Sequence, residues 1–389
     1  MKKFSVSAFL LAASGIVFFA SCSDDDNASP AATKATVIAN YADIAYRNYL
    51  NAYDDAVALE TAITTFNATP TAENFAAAKT AWLASRESYG TTEAFRFASG
   101  PIDIDENAPE GLINSWPLDE AYIDYVDGAS DAGIINNPGL FPVISKQTLE
   151  DINQTENEES VSVGYHAIEF LLWGQDLTAP SANLPGQRPY TDFVDGGTAS
   201  NQDRRRAYLA ACADLLTDNL DYLVQQWQPS GVYRATFLAL PENDALRNIF
   251  TGIVTLANSE LAIERMQVAL IGMDQEDEHS CFSDNTHRDI RLNLQGIINI
   301  YEGNYDGVDG PSLADLVGAA NSTVYNSTET AINEAQSDMN AILTPFDLAI
   351  SGGPSSVEGA KVQVTVDQLQ VLGANLLAAA QAIGVTVNG

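Results

Sequence analysis

Residues 46–67 read YRNYLNAYDDAVALETAITTFN, and the large side chains of this stretch recur at intervals of three and four. The recurring residues are Tyr46, Leu50, Tyr53 and Val57. Such spacing places them on one face of an α-helix. The stretch therefore predicts a long amphipathic helix over roughly residues 34–67.

Further stretches of the chain repeat this helical spacing. The stripes are Trp82, Tyr89 and Phe97 on a segment at 80–98; Ile249, Ile253, Leu256 and Ile263 at 244–272; and Val366, Leu369, Leu376, Ala380 and Ile383 near the end. Alternating patterns are scarce, although Val362, Val364 and Val366 leave a short strand open. The pattern as a whole predicts mostly helical bundles.

The composition narrows the classes of function. The chain has 389 residues, with 52 Asp and Glu against 18 Lys and Arg, and a formal net charge of −34. This balance argues against nucleic-acid binding, because such a protein lacks the basic surface that phosphates need. The 46% hydrophobic content argues against intrinsic disorder. The negative net charge also makes cations more plausible ligands than anions.

The N-terminus carries the pattern of an export signal. Residues 1–21 (MKKFSVSAFLLAASGIVFFAS) combine two lysines with an apolar run, and Cys22 follows small residues as in a bacterial lipobox. An ordinary signal peptide with a chance cysteine is the alternative. The acidic run at 23–26 resembles the surface-export signal of outer-membrane lipoproteins, or is simply an acidic tether. We expect an exported outer-membrane lipoprotein, lipidated at Cys22, that faces the cell surface or otherwise the periplasm.

Length and loop composition predict two domains. The stretch 177–202 is rich in Pro, Gly and Asn and is taken as the linker, because structureless stretches of this length are linkers or functional loops. A tether at 22–33 would then lead into an N-terminal helical domain at 34–176 and, after the linker, a C-terminal helical domain at 203–389. Asp203 is the expected N-cap of the next helix.

The chain has only three histidines, His166, His279 and His287, and it contains no HExxH. On a helix, His166 and Glu169 lie one turn apart on the same face. The pair could ligate a metal, or Glu169 could orient the imidazole for acid–base work. A buried histidine bonded to a neighbour for purely structural reasons is the third reading.

Acidic side chains also fall at positions that look buried. Glu260 lies in the apolar stripe of its segment, and Glu93 follows Tyr89 by four residues. A carboxylate facing a core needs a cation or an ion-pair partner, so a salt bridge between Glu93 and an arginine is the alternative to a ligand site. Residues 280–289 (SCFSDNTHRD) bring together more ligand-type side chains, but there is no GxSxG motif.

Cys212 and Cys281 are the remaining cysteines. In an oxidising envelope they could pair, and two separate buried thiols are the alternative.

At these residues the chain resembles the imelysin-like proteins, an insulin-cleaving metallopeptidase family that also includes iron-regulated lipoproteins. GYHAIEFLLWG at 164–174 matches the family's GxHxxE signature. Matching segments also occur at 86–96, 114–125, 260–266, 280–287 and 299–303, so the resemblance covers roughly residues 35–385.

The resemblance implies two four-helix-bundle-like, duplicated domains with a functional site at their interface. His166 and Glu169 correspond to the motif histidine and glutamate and would be the metal-site residues. The other residues implied to line the interface are Glu93, Trp116, Glu260, Asp284 and His287.

Three hypotheses follow for the function. The first is binding of a metal ion or an iron-bearing ligand in iron acquisition, with iron or zinc as the metal and an outer-membrane protein as a possible partner. The second is a metallopeptidase using His166 and Glu169. The third is a surface interaction module without metal. Whether the chain is an enzyme stays open, because no full catalytic set is visible.

Overall fold

The computed structural model describes residues 32–105 and 108–387. The predicted signal peptide, Cys22 and almost all of the predicted tether lie outside the described residues, so those expectations remain predictions.

Eight α-helices of ten residues or more run through the described part of the chain and are numbered in chain order. They are α1 (Lys34–Ala68), α2 (Ala72–Gly90), α3 (Gly164–Trp173), α4 (Gln202–Trp227), α5 (Glu242–Thr255), α6 (Thr286–Glu302), α7 (Ser322–Ala341) and α8 (Val357–Ala382). A π-helix at Leu256–Gln267 continues α5.

The connections hold shorter elements. Short α-helices lie at Glu110–Ile113, Glu120–Ile123, Gly133–Asn136, Lys146–Ile152, Val232–Leu238, Val268–Gly272, Leu313–Ala320 and Phe346–Ile350, and 3-10 turns lie at Thr91–Phe95, Pro180–Ala182, Tyr190–Phe193 and Gln275–Asp277. Within the described ranges the sheet content is one antiparallel hairpin, β1 (Asn304–Tyr305) with β2 (Val308–Asp309). The prediction of an all-α fold is confirmed.

Helix α1 begins at a capping box, in which the Thr33 side chain accepts from the backbone of Thr36 and the Thr36 side chain accepts in return. The predicted helix at 34–67 is thus confirmed, but its buried face is not the predicted one. The buried positions include Tyr49, Ala52, Ala56, Leu59 and Ile63, whereas Tyr46, Leu50 and Tyr53 are half-buried and Val57 is exposed. The predicted stripe included only large side chains, whereas the buried face also contains alanines, which allow close contact between helices.

The helices enclose one continuous buried core. Helix α1 packs against α2 and α4, and α3 lies between α2 and α4. In the second half of the chain, α7 packs on α8, which also contacts α5 and the π-helix. Helix α6 contacts both α2 and the π-helix, so it joins the two halves of the chain.

The π-helix changes which residues of the predicted 244–272 segment face inward. Its i→i+5 hydrogen bonding widens each turn, so positions chosen at a spacing of 3.6 drift away from one face. Glu260 is consequently only half-buried, whereas Arg265 points into the interior and is almost completely buried. The expectation that Glu260 sits in the apolar stripe is corrected in this way.

The structure decides one alternative that the sequence left open and corrects one local expectation. The alternating valines at 362–366 lie inside α8, not in a strand, because flanking Leu369, Leu372 and Leu376 extend the same helical face. Helix α4 starts at Gln202 after Asn201, so Asp203 lies in its first turn and is not the N-cap.

The two-domain division at 177–202 stays a prediction. Helix α4, which that division assigns to the second domain, packs along α1 and α3 of the first. Among the described helices, none is long and apolar enough to cross a membrane.

Candidate functional site

His166 and Glu169 lie on α3, and every residue of this helix is buried. The two side chains project from the same face, as their spacing predicts, and His166 Nδ1 lies 2.9 Å from Glu169 Oε2. His166 is 1% exposed and Glu169 is fully buried. The structure therefore confirms the predicted contact and places it deep inside the molecule.

Gly164 positions this pair. It begins α3 at a φ of +88°, where non-glycine residues are strained, and a Cβ there would lie 2.6 Å from the Ile113 carbonyl oxygen. The glycine thus allows α3 to start against the backbone of the segment at Glu110–Ile113. Two residues later the helix presents His166.

Ser283 holds the other oxygen of the carboxyl group. Its backbone N–H and its hydroxyl both donate to Glu169 Oε1, at 2.9 and 2.6 Å. Both oxygens of Glu169 are therefore occupied. In contrast, His166 Nε2 is buried and has no hydrogen-bond partner within the described structure.

Burial controls the protonation of this pair. It raises the pKa of Glu169 to about 8, against the lowering effect of the Ser283 hydrogen bonds. It lowers the pKa of His166 to about 3, and the nearby Arg86 charge adds to this effect. The imidazole is therefore neutral at neutral pH, as a metal-binding or base-acting histidine must be.

His279 is a second buried imidazole that sequence reasoning did not select. Its ring lies edge-on to that of His166, with the ring centroids 4.6 Å apart. His279 Nδ1 is 2.8 Å from Asp289 Oδ2, and its Nε2 is 3.4 Å from Asn114 Nδ2. In the sequence, only the small number of histidines pointed to His279. Its partners Asp289 and Asn114 lie 10 and 165 positions away.

Ion pairs hold Asp289 charged. Arg86 donates to Asp289 Oδ1 through Nε and Nη2, and both residues are buried. Although burial alone would raise it, the pKa of Asp289 is held well below its usual range by Arg86 and His279. An ionised Asp289 accepts from His279 Nδ1–H, which leaves the lone pair of that ring on Nε2.

The predicted residue Glu93 belongs to an adjoining buried ion-pair network. Arg265 Nη2 donates to Glu93 Oε2 at 2.6 Å, and Arg96 Nη1 donates at 3.1 Å. Against the effect of burial, these arginines hold the pKa of Glu93 well below its usual range. Glu260 joins through Arg96 and Arg265, each 3.2 Å away. The ion-pair alternative is thus the arrangement that these two glutamates adopt.

Asn114 connects this network to the histidines. Its side-chain amide donates to Glu93 Oε1 at 3.3 Å and faces His279, while its oxygen accepts from Arg86 at 2.6 Å. The predicted Trp116 packs on His279 with ring centroids 5.6 Å apart, and its Nε1 donates to the Glu278 carbonyl oxygen. Trp116 therefore lies beside the second imidazole.

The predicted residues Asp284 and His287 lie beyond Ser283, near the surface. His287 Nδ1 donates to the Asp284 carbonyl oxygen at 2.9 Å, and both side chains line a surface cavity. Burial and the charge of Asp347 raise the pKa of Asp284 to about 7. The structure thus brings His166, Glu169, His279 and Glu93 into one buried region and leaves Asp284 and His287 outside it.

The described residues offer few side-chain donors to a metal ion. Within residues 32–105 and 108–387, no three His, Cys, Asp or Glu side chains are grouped so that they could hold an ion. The unpartnered His166 Nε2 nevertheless fits one position in a metal's coordination sphere once Glu169 has lost its proton, because an ionised Glu169 accepts from Nδ1–H and leaves the lone pair of the ring on Nε2. The residues present fit a metal that brings most of its own ligands.

The cysteine alternatives are resolved. Cys212 and Cys281 are both free and buried, so of the two alternatives the structure shows two separate thiols. Burial raises the pKa of both thiols, which keeps them protonated.

The chain is similar to proteins that have been described before. A curated relative, the iron-regulated protein A of Synechococcus elongatus (strain ATCC 33912 / PCC 7942 / FACHB-805), is 25% identical over 331 residues, which cover 82% of this chain and 78% of the relative.

Two crystal structures share the fold. One, from Parabacteroides distasonis ATCC 8503, is described as an iron-regulated protein A precursor; it has a TM-score of 0.69 and 19% identity and covers 91% of this chain and 97% of its own. The other is an imelysin-like protein from Psychrobacter arcticum 273-4, with a TM-score of 0.65 and 16% identity, covering 92% of this chain and 99% of its own.

The model of the imelysin family matches residues 45–376, which is most of the chain and includes His166, Glu169 and His279. The resemblance noted in the sequence is therefore confirmed, and the chain belongs to the imelysin family.

Proposed function

We propose that this chain is a cell-envelope lipoprotein that binds an iron-bearing ligand in iron acquisition. The observation that carries the proposal is the state of His166, whose Nδ1 is held by Glu169 while Nε2 is buried without a partner. An unsatisfied buried polar group costs about 1–3 kcal/mol. A ligand that bonds to Nε2 recovers this free energy.

The pairing of His166 with Glu169 supports a metal. Histidines that bind metals through one ring nitrogen usually have the other held by a carboxylate or carbonyl, which fixes the ring and strengthens it as a donor. Glu169 is positioned for that role, with Ser283 fixing the carboxylate in turn. Imidazole nitrogen suits iron and zinc alike, and the iron-regulated relative favours iron.

The number of protein donors supports a chelated metal. Because no three candidate ligands are grouped in the described residues, a bare ion would lack most of its coordination sphere. A chelate fills those positions itself and needs only one or two protein nitrogens. His279, with its ring 4.6 Å from that of His166, is the second imidazole that such a ligand would meet.

The predicted localisation and the family membership agree with this role. The N-terminal pattern at 1–21 and the lipobox-like Cys22 support export and a lipid anchor in the outer membrane, where an outer-membrane transport protein would be a suitable partner. The curated relative is named an iron-regulated protein, and the net charge of −34 favours cationic metal.

A metallopeptidase that uses His166 and Glu169 is the second candidate. The pKa of Glu169, raised to about 8 by burial, favours it, because a general base works best near the operating pH. Glu169→Gln separates the two candidates. A peptidase would lose cleavage of insulin or another unfolded substrate while still binding metal, whereas a binding protein would show no cleavage in either form.

The proposal is tested by calorimetric titration of the full chain in detergent with iron(III) citrate. We expect saturable binding by the wild type, a loss of at least tenfold in His166→Gln, and about a 10–100-fold loss in Glu169→Gln. Asp309→Asn, at an exposed hairpin position, is the control and should bind like the wild type. Equal affinity of the wild type and His166→Gln would overturn the proposal.

A further inference from the structure

Ser283, which holds Glu169, also forms part of the wall of a surface cavity of about 480 Å³. The wall combines residues of α2, the loop and first turn at the start of α6, and the segment around Pro345. Three polar residues of that wall, Asp284, Asn285 and His287, have hydrogen-bonding or ligand capacity that the protein itself does not use.

Asn285 is the first of these residues. It is 5% exposed, and its Nδ2 is buried without a hydrogen-bond partner in the described structure. An amide nitrogen is a donor of two hydrogen bonds. Its position in the cavity wall makes an acceptor oxygen on a bound molecule the natural partner.

His287 supplies a free lone pair. Its Nδ1 faces the Asp284 carbonyl oxygen at 2.9 Å, and a carbonyl oxygen can only accept, so Nδ1 carries the hydrogen. Burial lowers the pKa of this half-buried imidazole, which keeps it neutral. Nε2 therefore carries a lone pair, the form in which histidine binds a metal.

Asp284 supplies a carboxyl group. Its backbone is left-handed, with a φ of +58°, and no arginine or lysine forms a salt bridge with it among the described residues. Glu87, on the same cavity wall, differs because Arg288 neutralises it through two hydrogen bonds at 2.8 and 2.6 Å. Asp284 is the carboxyl group of this cavity that lacks a cation.

We propose that this cavity is a second binding site, for a metal cation that carries oxygen ligands, with His287 Nε2 and the Asp284 carboxylate as its protein donors. Asn285 Nδ2 then donates to one of the metal's oxygen ligands. The ligand class follows from the pairing: a carboxylate and an imidazole bind the cation, while an amide donor needs an oxygen beside it. A plain organic anion would be repelled by Asp284.

The site is distinct from the buried pair. His166 lies behind Ser283, in a region that is almost fully buried, whereas His287 and Asp284 are half-buried at the cavity. The inference rests on the proposed function in taking the ligand to be a metal. The proposal adds an outer site at Asp284, the residue that follows Ser283 in the chain.

The test uses the full chain in detergent, ¹⁵N-labelled at histidine, with Co²⁺ alone as the probe. Three imidazole spin systems are assigned by single substitution of each histidine. We expect Co²⁺ to shift and broaden the His287 signals, and equilibrium dialysis to give an affinity at least tenfold lower in His287→Gln and in Asp284→Asn. Asparagine tolerates the left-handed backbone, so Asp284→Asn preserves the local fold.

Two comparisons decide the result. His166→Gln should keep the His287 response, which separates this site from the inner one, and Asp309→Asn should keep the wild-type affinity. Absence of a His287 response, or an equal loss in Asp284→Asn and Asp309→Asn, overturns the proposal. If His287 responds while iron(III) citrate binding proves independent of His166, the outer site stands and the proposed function of the inner site fails.

Discussion

Ser283 donates two hydrogen bonds to the same oxygen of Glu169, one from its backbone nitrogen at 2.9 Å and one from its hydroxyl at 2.6 Å. The other oxygen of Glu169 lies against His166 Nδ1, so the carboxyl group of Glu169 contacts both the imidazole and the loop before α6. A residue 114 positions away in sequence thus completes the GxHxxE pair.

Ser283→Ala removes the hydroxyl bond to this buried carboxyl group. We expect a loss of about 0.5–1.5 kcal/mol in the free energy of unfolding at neutral pH, the range for hydrogen bonds between neutral groups, because burial keeps Glu169 protonated there. Ser88→Ala is a matched control: both serines are 8% exposed, but the Ser88 hydroxyl makes only a long 3.4 Å bond to a backbone carbonyl. Urea denaturation measures both, and equal losses would show that the Glu169 bond carries no special weight.

Arg265→Met leaves Glu93 buried with only the weaker pairing to Arg96. Removing one partner of a buried ion pair typically costs about 3–5 kcal/mol. Arg247→Met serves as the control, because the ion pair between Arg247 and Asp244 is exposed and such pairs contribute about 0–1 kcal/mol. A denaturation midpoint for Arg265→Met as high as that of the control would contradict the buried network.

Gly164→Ala tests the packing that positions His166. A Cβ at this position meets both an unfavourable φ and the Ile113 carbonyl oxygen, so we expect a loss of about 3 kcal/mol or more, with weakened iron(III) citrate binding. Gly128→Ala has a similar φ of +78° but open space around it, so about 1–2 kcal/mol is expected. Thermal unfolding of the two variants measures the difference, and the prediction fails if they are equally stable.

Glu278→Gln gives a pH-dependent difference. Burial, with the nearby Asp347 charge, raises the pKa of Glu278 well above its ordinary value, so the folded state keeps the proton after the unfolded state has released it. Wild-type stability is therefore full below about pH 4.5 and falls as pH rises, by up to about 1.4 kcal/mol per pH unit until the folded pKa is reached.

We expect Glu278→Gln to gain stability over the wild type progressively from pH 5 to pH 8, measured as unfolding free energies in guanidinium chloride. Asp309→Asn, which changes the net charge by the same amount, is the control. A difference that stays constant across this range would mean that Glu278 is ionised in the folded protein.

The helices were predictable from the sequence because apolar side chains recur at helical spacing over long stretches. Which face of α1 is buried was not predictable, because its buried positions include Ala52 and Ala56, and a pattern based on large residues does not include alanines. The position of Arg265 was also hidden, because a π-helix has no clear signature in hydrophobic spacing.

The candidate site was predictable where it is local and hidden where it is assembled from distant segments. His166 and Glu169 are three residues apart, so helical geometry alone brings them together. His279 meets His166 in the folded chain although the two are 113 positions apart in sequence, and its partner Asn114 comes from yet another segment. Such convergence depends on tertiary packing, which spacing in the sequence does not encode.

Under the proposed function, His166 Nε2 is the atom that binds the metal. The most direct measurement is the imidazole ¹H–¹⁵N spectrum of the ¹⁵N-histidine-labelled full chain during titration with gallium(III) citrate, a diamagnetic counterpart of the iron(III) complex. We expect a large shift of the His166 Nε2 signal on binding, with Nδ1 still bonded to Glu169 and with loss of binding in His166→Gln. Saturable binding that leaves the His166 signals unchanged would contradict it.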